Sequence, residues 1–147
     1  MSGSTNTAAR ERLEALVGEW TMEAKPPGGP PWPGGGRVTF EWLEGVPLLI
    51  ERWHLDFPEA PDGVAVIGCD GMSGTCYQLY TDERDVQRIY EMSLDAGIWR
   101  LWRDGAPFSQ RFTAKFSEDG RTIASRREIA EDGETWKRDF DLIYTKV

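Results

Sequence analysis

The chain has 147 residues, of which 39% are hydrophobic and 29% are charged, so its composition fits one globular domain and excludes a disordered chain. The formal net charge of −8 argues against nucleic acid and anionic membranes as partners, since both require concentrated Lys and Arg. The seven Trp residues predict an aromatic interior or an aromatic contact surface, because each ring buries a large area.

The N-terminal region combines a polar tail with a short helix. Residues 1–7 are interpreted as a flexible tail. They form no charged-then-apolar leader, and no apolar run reaches membrane-spanning length, so we expect a cytoplasmic protein. Apolar residues between Ala8 and Val17 recur near helical spacing until Gly18. This pattern predicts a short amphipathic helix packed over one end of the fold.

Polar and apolar residues alternate from Glu19 onwards, as expected of strands with one buried face. The segment 26–36 is rich in Pro and Gly and can form neither a helix nor a central strand, so it is a long loop. Pairs such as Asp104-Gly105 and Asp119-Gly120 mark turns further along. The predicted strands are 19–24, 38–42, 48–57, 64–69, 75–81, 86–94, 98–103, 110–117, 122–129 and 135–145.

Short strands joined by turns, with no intervening helices, predict an antiparallel sandwich or an up-and-down barrel. About ten meandering strands with few polar residues to protect their edges favour the barrel, since closure removes both edges. The sequence therefore predicts an all-β fold. It is a single antiparallel up-and-down β-barrel of about ten strands, with a short N-terminal helix, in one domain spanning 1–147.

Several stretches carry a family resemblance. Gly18-Glu19-Trp20 resembles the Gly-x-Trp signature of calycins, the superfamily of lipocalins and fatty-acid-binding proteins. Further stretches resemble domain-of-unknown-function family 1579 along nearly the whole chain: Glu51-Arg52-Trp53, Val66-Ile67-Gly68-Cys69-Asp70, Tyr90-Glu91-Met92-Ser93-Leu94, Phe108-Ser109-Gln110-Arg111-Phe112, Phe116 to Ile123 and Asp139 to Thr145. The resemblance implies a calycin-like barrel and no particular activity.

The resemblance also implies a role for Trp20 and Arg138. In calycins the Trp of the signature packs at the closed end, beneath a basic side chain from the last strand, and these two residues match those places. Arg138 shares a face with Phe140 by alternation, so we expect it to point inwards, where an unpaired guanidinium is costly. It would stack on Trp20 and bond to backbone carbonyls or Glu51, or it would bind a ligand carboxylate.

Cysteine and histidine usage limits metal chemistry. Cys69 and Cys76 flank a predicted turn, and without a secretory signal we expect a reduced thiol pair rather than a disulfide. Their spacing is not CxxC, and the chain has a single His, so a zinc site would lack ligands unless carboxylates completed it. We therefore expect no metal.

Glu51 and His54 are the candidate catalytic residues. Glu51 alternates with Leu49 and Trp53, so burial could raise its pKa for general acid chemistry, or it could pair with Arg138. Either face of strand 48–57 could point inwards, since Glu51 lies on one face and His54 on the other. His54, the only imidazole, could serve as a haem ligand, as one histidine does in the related nitrobindins. In that family the ligand lies near the C-terminal strands, whereas 122–147 contains no His, so no cofactor is predicted and haem is the alternative.

The preferred hypothesis is a binding protein for a small, largely apolar molecule. The predicted ligand-binding residues are Trp42, Glu51, Trp53, Tyr77, Tyr90, Phe112, Arg138 and Phe140. The alternatives are an enzyme that uses Glu51 or His54 for general acid–base catalysis, a haem-binding barrel, and a protein-interaction module. A homodimer is also possible, through a face carrying residues that fall out of phase with the predicted interior: Ile89, Trp99 and Leu101.

Overall fold

The computed structural model describes residues 10–57 and 59–147. Its ten strands each pair antiparallel with the next in chain order, and the first pairs with the last, which closes the barrel. This confirms the predicted all-β up-and-down barrel. The strands are β1 (Gly18–Lys25), β2 (Gly36–Trp42), β3 (Leu49–Leu55), β4 (Gly63–Cys69), β5 (Cys76–Asp82), β6 (Gln87–Asp95), β7 (Ile98–Arg103), β8 (Ser109–Phe116), β9 (Thr122–Ala130) and β10 (Lys137–Lys146).

A short helix covers one end of the barrel, as predicted. Residues 10–13 are α-helical and continue into a 3-10 turn at Glu14–Leu16. Leu13 and Leu16 are buried in the core, and the indole Nε1 of Trp20 donates to the Leu16 carbonyl at 2.9 Å. The predicted start at Ala8 and the tail lie outside the described residues. No helix in the described part of the chain is long and apolar enough to cross a membrane.

Trp20 sits at this closed end beneath a basic side chain, but that side chain is not Arg138. The ammonium of Lys146, near the end of β10, lies 4.7 Å from the Trp20 ring centroid. Its Nζ also donates to the Val17 carbonyl at 2.5 Å. The ion therefore has a π-face and a backbone acceptor, which together compensate for its partial burial.

Arg138 points away from the barrel interior because of a β-bulge. The pairing of β10 with β9 shifts register between Arg138 and Phe140, so Arg138 lies opposite Glu128 and Phe140 lies opposite Arg127. The extra residue reverses the alternation on which the inward orientation depended. The Arg138 guanidinium instead donates to Asp141 at 2.6 Å, with 40% of its side chain exposed.

The two cysteines form a disulfide, contrary to the expected reduced pair. Cys69 ends β4 and Cys76 begins β5, and the register places them directly opposite each other. Their sequence spacing alone does not reveal this, since a shift of one residue would put the two side chains on opposite faces.

Three further residues lie on the face opposite to the one predicted. Tyr77 was expected inside, but it is on the outer face and 43% exposed, because the inward residues of β5 include Cys76 and Gln78. Trp99 and Leu101 were expected outside, but both are buried in the core. Of the residues proposed for a dimer face only Ile89 is exposed, so the homodimer stays a prediction.

Candidate functional site

The half of the barrel away from the helix encloses a cavity of about 470 Å³. Its rim comes from the loops that join β1 to β2, β3 to β4 and β7 to β8, while the other half of the barrel is filled by packed core residues. A cavity of this volume accommodates a small organic molecule. The loop residues on the rim include Trp32, Pro33, Phe57, Ala60, Pro61 and Phe108.

Aromatic rings form much of the cavity wall. Trp53 stacks on Tyr80 with ring centroids 5.2 Å apart, and its indole Nε1 donates to the Pro61 carbonyl at 3.0 Å. Trp32 folds back from the Pro/Gly-rich loop to lie 6.4 Å from the ring of Phe140. These rings present flat apolar surfaces to the cavity, an arrangement suited to an aromatic or aliphatic ligand.

Glu51 is a carboxyl group buried in the cavity floor. Only 6% of the residue is exposed, and among the residues that the structure describes its one side-chain hydrogen bond is with the Gln78 amide, which donates to Oε1 at 3.5 Å. Burial raises the pKa of Glu51 to about 7, although the positive charge of Arg127 acts in the opposite direction. The group can therefore gain or lose a proton near neutral pH.

Arg127 is a positively charged residue that lines the same cavity floor as Glu51. It comes from β9, and its Nε is buried without a hydrogen-bond partner among the described residues. Its guanidinium lies 5.5 Å from the Phe112 ring centroid and 5.7 Å from that of Phe140. Burial opposes its charged form, whereas its interactions with three tyrosines raise its pKa: Tyr90, Tyr144 and Tyr80. An arginine side chain keeps its charge in proteins, so the guanidinium stays positive.

Glu51 and Arg127 share the cavity without forming an ion pair. No oxygen of any described carboxylate lies within 4.0 Å of an Arg127 nitrogen. The Oε1 of Gln78, beside Glu51, is also buried without a partner in the described part of the chain. Buried polar atoms are almost always hydrogen-bonded in folded proteins, so this floor can accept polar groups from a ligand.

Tyrosines and glutamines complete the polar lining. The hydroxyl of Tyr90 donates to Gln110 at 2.7 Å, and Arg88 donates to the same amide oxygen at 3.5 Å. Burial, together with the charge of Glu51, raises the pKa of Tyr144. Its hydroxyl therefore remains protonated near neutral pH and can donate to a ligand oxygen.

A second polar cluster lies at the mouth of the cavity, at the end of β5. The Tyr80 hydroxyl donates to Asp82 at 2.6 Å, and Arg84 donates to the same carboxylate at 2.7 Å. Arg84, and then the Tyr80 hydroxyl, lower the pKa of Asp82, while burial and the bond to Asp82 raise the pKa of Tyr80 to about 12. These bonds fix the orientation of the Tyr80 ring that stacks on Trp53.

The structure brings four of the eight predicted ligand-binding residues to the cavity: Glu51, Trp53, Tyr90 and Phe140. Trp42 is half-buried at the closed end, where its indole donates to Glu14 at 2.7 Å. Phe112 is a core residue 4.8 Å from the Trp99 ring. Tyr77 and Arg138 lie outside the barrel, as described above. For β3, the face that carries Glu51 is the inner one.

His54 lies on the outer face of β3. Its Nδ1 is 2.8 Å from Asp62 and its Nε2 is 2.9 Å from Asp56, and 63% of the side chain is exposed. These two carboxylates raise the pKa of His54. His54 is absent from the cavity lining, so neither a base inside the barrel nor a haem ligand there fits its position.

Arg127 is absent from the predicted ligand-binding residues because it lies in the charged run Arg126-Arg127-Glu128, and such a run is typical of a solvent-exposed strand end. Alternation with Ile123 and Ser125 places Arg127 on the buried face of β9. The adjacent Arg126 obscured that signal. Other polar cavity residues were missed as well, among them Gln78, Gln110 and Tyr144.

In the described parts of the chain, no cluster of three or more His, Cys, Asp and Glu side chains could hold a metal ion.

The comparisons with known proteins concern the fold. No family model and no curated protein match the sequence. Among solved structures, Rv2717c from M. tuberculosis matches with a TM-score of 0.65 and 12% sequence identity, covering 95% of this chain and 97% of that one. The chain therefore folds as a closed, ten-stranded antiparallel barrel similar to that of Rv2717c.

Proposed function

We propose that the protein binds a small molecule with a largely apolar body and one anionic or hydrogen-bonding end inside the barrel. The observation that carries the proposal is the 470 Å³ cavity, which has aromatic walls and contains a charged Arg127 that forms no ion pair with a carboxylate of residues 10–57 and 59–147. A guanidinium in this environment favours an anion from a ligand, because partial desolvation strengthens the interaction between the two charges.

The shape of the site divides the ligand into two parts. Trp53, Tyr80 and Phe140 would contact the apolar body, while Arg127 and Tyr144 would contact the polar end on the floor. On the stretches quoted above, we also propose membership of domain-of-unknown-function family 1579. A cytoplasmic location is likewise proposed from the sequence alone.

Replacing Trp53 by Ala is expected to weaken binding of the fluorescent neutral probe phenylnaphthylamine by about tenfold, because the variant loses an aromatic wall worth roughly 1 kcal/mol or more. The measurement is a fluorescence titration. Trp102→Ala is the matched control, since Trp102 is half-buried on β7 and does not line the cavity. Equal effects of the two variants, or no binding to the parent protein, would contradict binding inside the barrel.

A second candidate function is general acid–base catalysis on such a molecule, because the pKa of Glu51 lies near 7 in the cavity. The Glu51→Gln variant separates the two functions. In an enzyme, turnover of the substrate would collapse in the variant while the substrate still binds. In a binding protein there is no turnover to lose, and only the affinity changes.

A further inference from the structure

We propose that the cavity takes up a proton when it binds an anion: Glu51 binds the proton, and the anionic group of the ligand occupies the space between Glu51 and Arg127. This inference rests on the proposed function and adds its regulation by pH. Its geometric basis is that a buried Glu51 and a half-buried Arg127, whose Nε atom is buried without a partner, line the same cavity and form no ion pair within the described part of the chain.

The bound anion would lie between two side chains, one of which attracts it and one of which repels it. Arg127 attracts it, whereas an ionised Glu51, which is buried in the cavity floor, repels it at close range. A protonated Glu51 removes the repulsion and supplies an O–H donor. The proton comes from solvent, adds to a carboxylate oxygen of Glu51 and returns to solvent when the anion leaves, so no bond in the ligand changes.

The other groups around Glu51 do not titrate near neutral pH. Arg127 stays charged, Tyr144 and Tyr80 stay protonated, and Gln78 is neutral. With its pKa at about 7, Glu51 changes its charge between pH 6 and pH 8. His54 also has a raised pKa, but it lies outside the barrel and calls for a control variant.

The test compares two fluorescent probes with the same ring system. Anilinonaphthalenesulfonate carries a sulfonate that stays ionised throughout the pH range, whereas phenylnaphthylamine lacks it. If only the protonated form of Glu51 binds the sulfonate, the apparent affinity should fall about tenfold between pH 6 and pH 8, in proportion to the protonated fraction. The affinity for the neutral probe should stay constant.

Two variants sharpen the expectation. Glu51→Gln cannot ionise, so it should bind the sulfonate probe equally at both pH values and about tenfold more tightly than the parent protein at pH 8. Arg127→Met should lose most of the affinity for the sulfonate probe and keep that for the neutral probe. His54→Gln should retain the pH dependence of the parent protein.

Calorimetry provides an independent count of protons. Titrations at pH 8 in two buffers of different ionisation enthalpy should show uptake of about one proton per bound sulfonate probe, since roughly nine-tenths of Glu51 is ionised there. Sulfonate binding that depends on Arg127 but not on pH would overturn the proton linkage and leave the binding function standing. Failure of both probes to bind would overturn the binding function itself.

Discussion

At pH 8.5 the Glu51→Gln variant is expected to be more stable than the parent protein by about 3 kcal/mol, whereas at pH 5 this contribution falls below about 1 kcal/mol. The reason is the desolvation of the carboxylate. Burial raises the pKa of Glu51 from 4.5 to about 7, so folding at high pH requires a buried negative charge. The variant carries no such charge.

The sign follows from proton binding in the two states. Between pH 4.5 and 7 the unfolded chain releases the Glu51 proton while the folded protein keeps it. The free energy of unfolding of the parent protein therefore falls as pH rises through this window and levels off above pH 7. The measurement is urea unfolding of both proteins at several pH values across this window. Any effect of the Gln side chain that does not depend on pH cancels when the free energies of unfolding at two pH values are subtracted.

Glu41→Gln is the matched control, because Glu41 is exposed on β2 and pairs with Arg52 at 2.7 Å on the outer surface. It should change the free energy of unfolding by less than about 1 kcal/mol at any pH. Parallel pH profiles of the parent protein and the Glu51→Gln variant would show that Glu51 ionises as readily in the folded state as in the unfolded chain.

Replacing Trp20 by Ala is expected to lower the free energy of unfolding by about 4 kcal/mol, as for other fully buried large aromatic residues. Trp20 is completely buried, donates to the Leu16 carbonyl, lies edge-on to Phe116 and carries the ammonium of Lys146 over its ring. The substitution leaves a large cavity and detaches the helix from the closed end of the barrel. Denaturant unfolding measures the loss.

Trp102→Ala is the matched control for this prediction, since Trp102 is half-buried on the outer face of β7. Its loss should cost less than half as much. Trp20→Phe should fall between the two, because Phe restores most of the volume but cannot donate to Leu16. A cost for Trp20→Ala no greater than that for Trp102→Ala would contradict the assignment of Trp20 to the anchor of the closed end.

The strand order of the barrel is accessible from sequence because its signals are local. Pairs such as Asp119-Gly120 terminate strands, and alternation such as Trp20, Met22 reveals a half-buried strand. All ten predicted strands are present, with ends displaced by a few residues at most. Closure then follows from the need to protect two edges.

The site was only partly predictable, since its polar floor departs from the simple alternation of apolar and polar residues. Glu51 was found because its neighbours on the inner face are apolar, but Gln78 and Arg127 placed polar side chains where the pattern expects apolar ones. The predicted orientation of Arg138 was wrong because of a β-bulge that the local sequence does not reveal. Glu51 on β3 and Arg127 on β9 line the same cavity only because the whole barrel closes, and this arrangement cannot be seen in either strand alone.

The disulfide depends on register in the same way. Cys69 and Cys76 are direct partners only because the intervening turn aligns β4 and β5 without an offset. A pattern of strands and turns determines which strands are neighbours, whereas pairing of individual residues requires the turn geometry.

The most direct test of binding inside the barrel is a crystal structure of the protein grown with anilinonaphthalenesulfonate at pH 6. The account predicts that the probe occupies the cavity, with its rings against Trp53 and Phe140 and its sulfonate hydrogen-bonded to Arg127. A probe bound only on the outer surface, or a cavity filled by Trp32 and the side chain of Arg127 themselves, would contradict it.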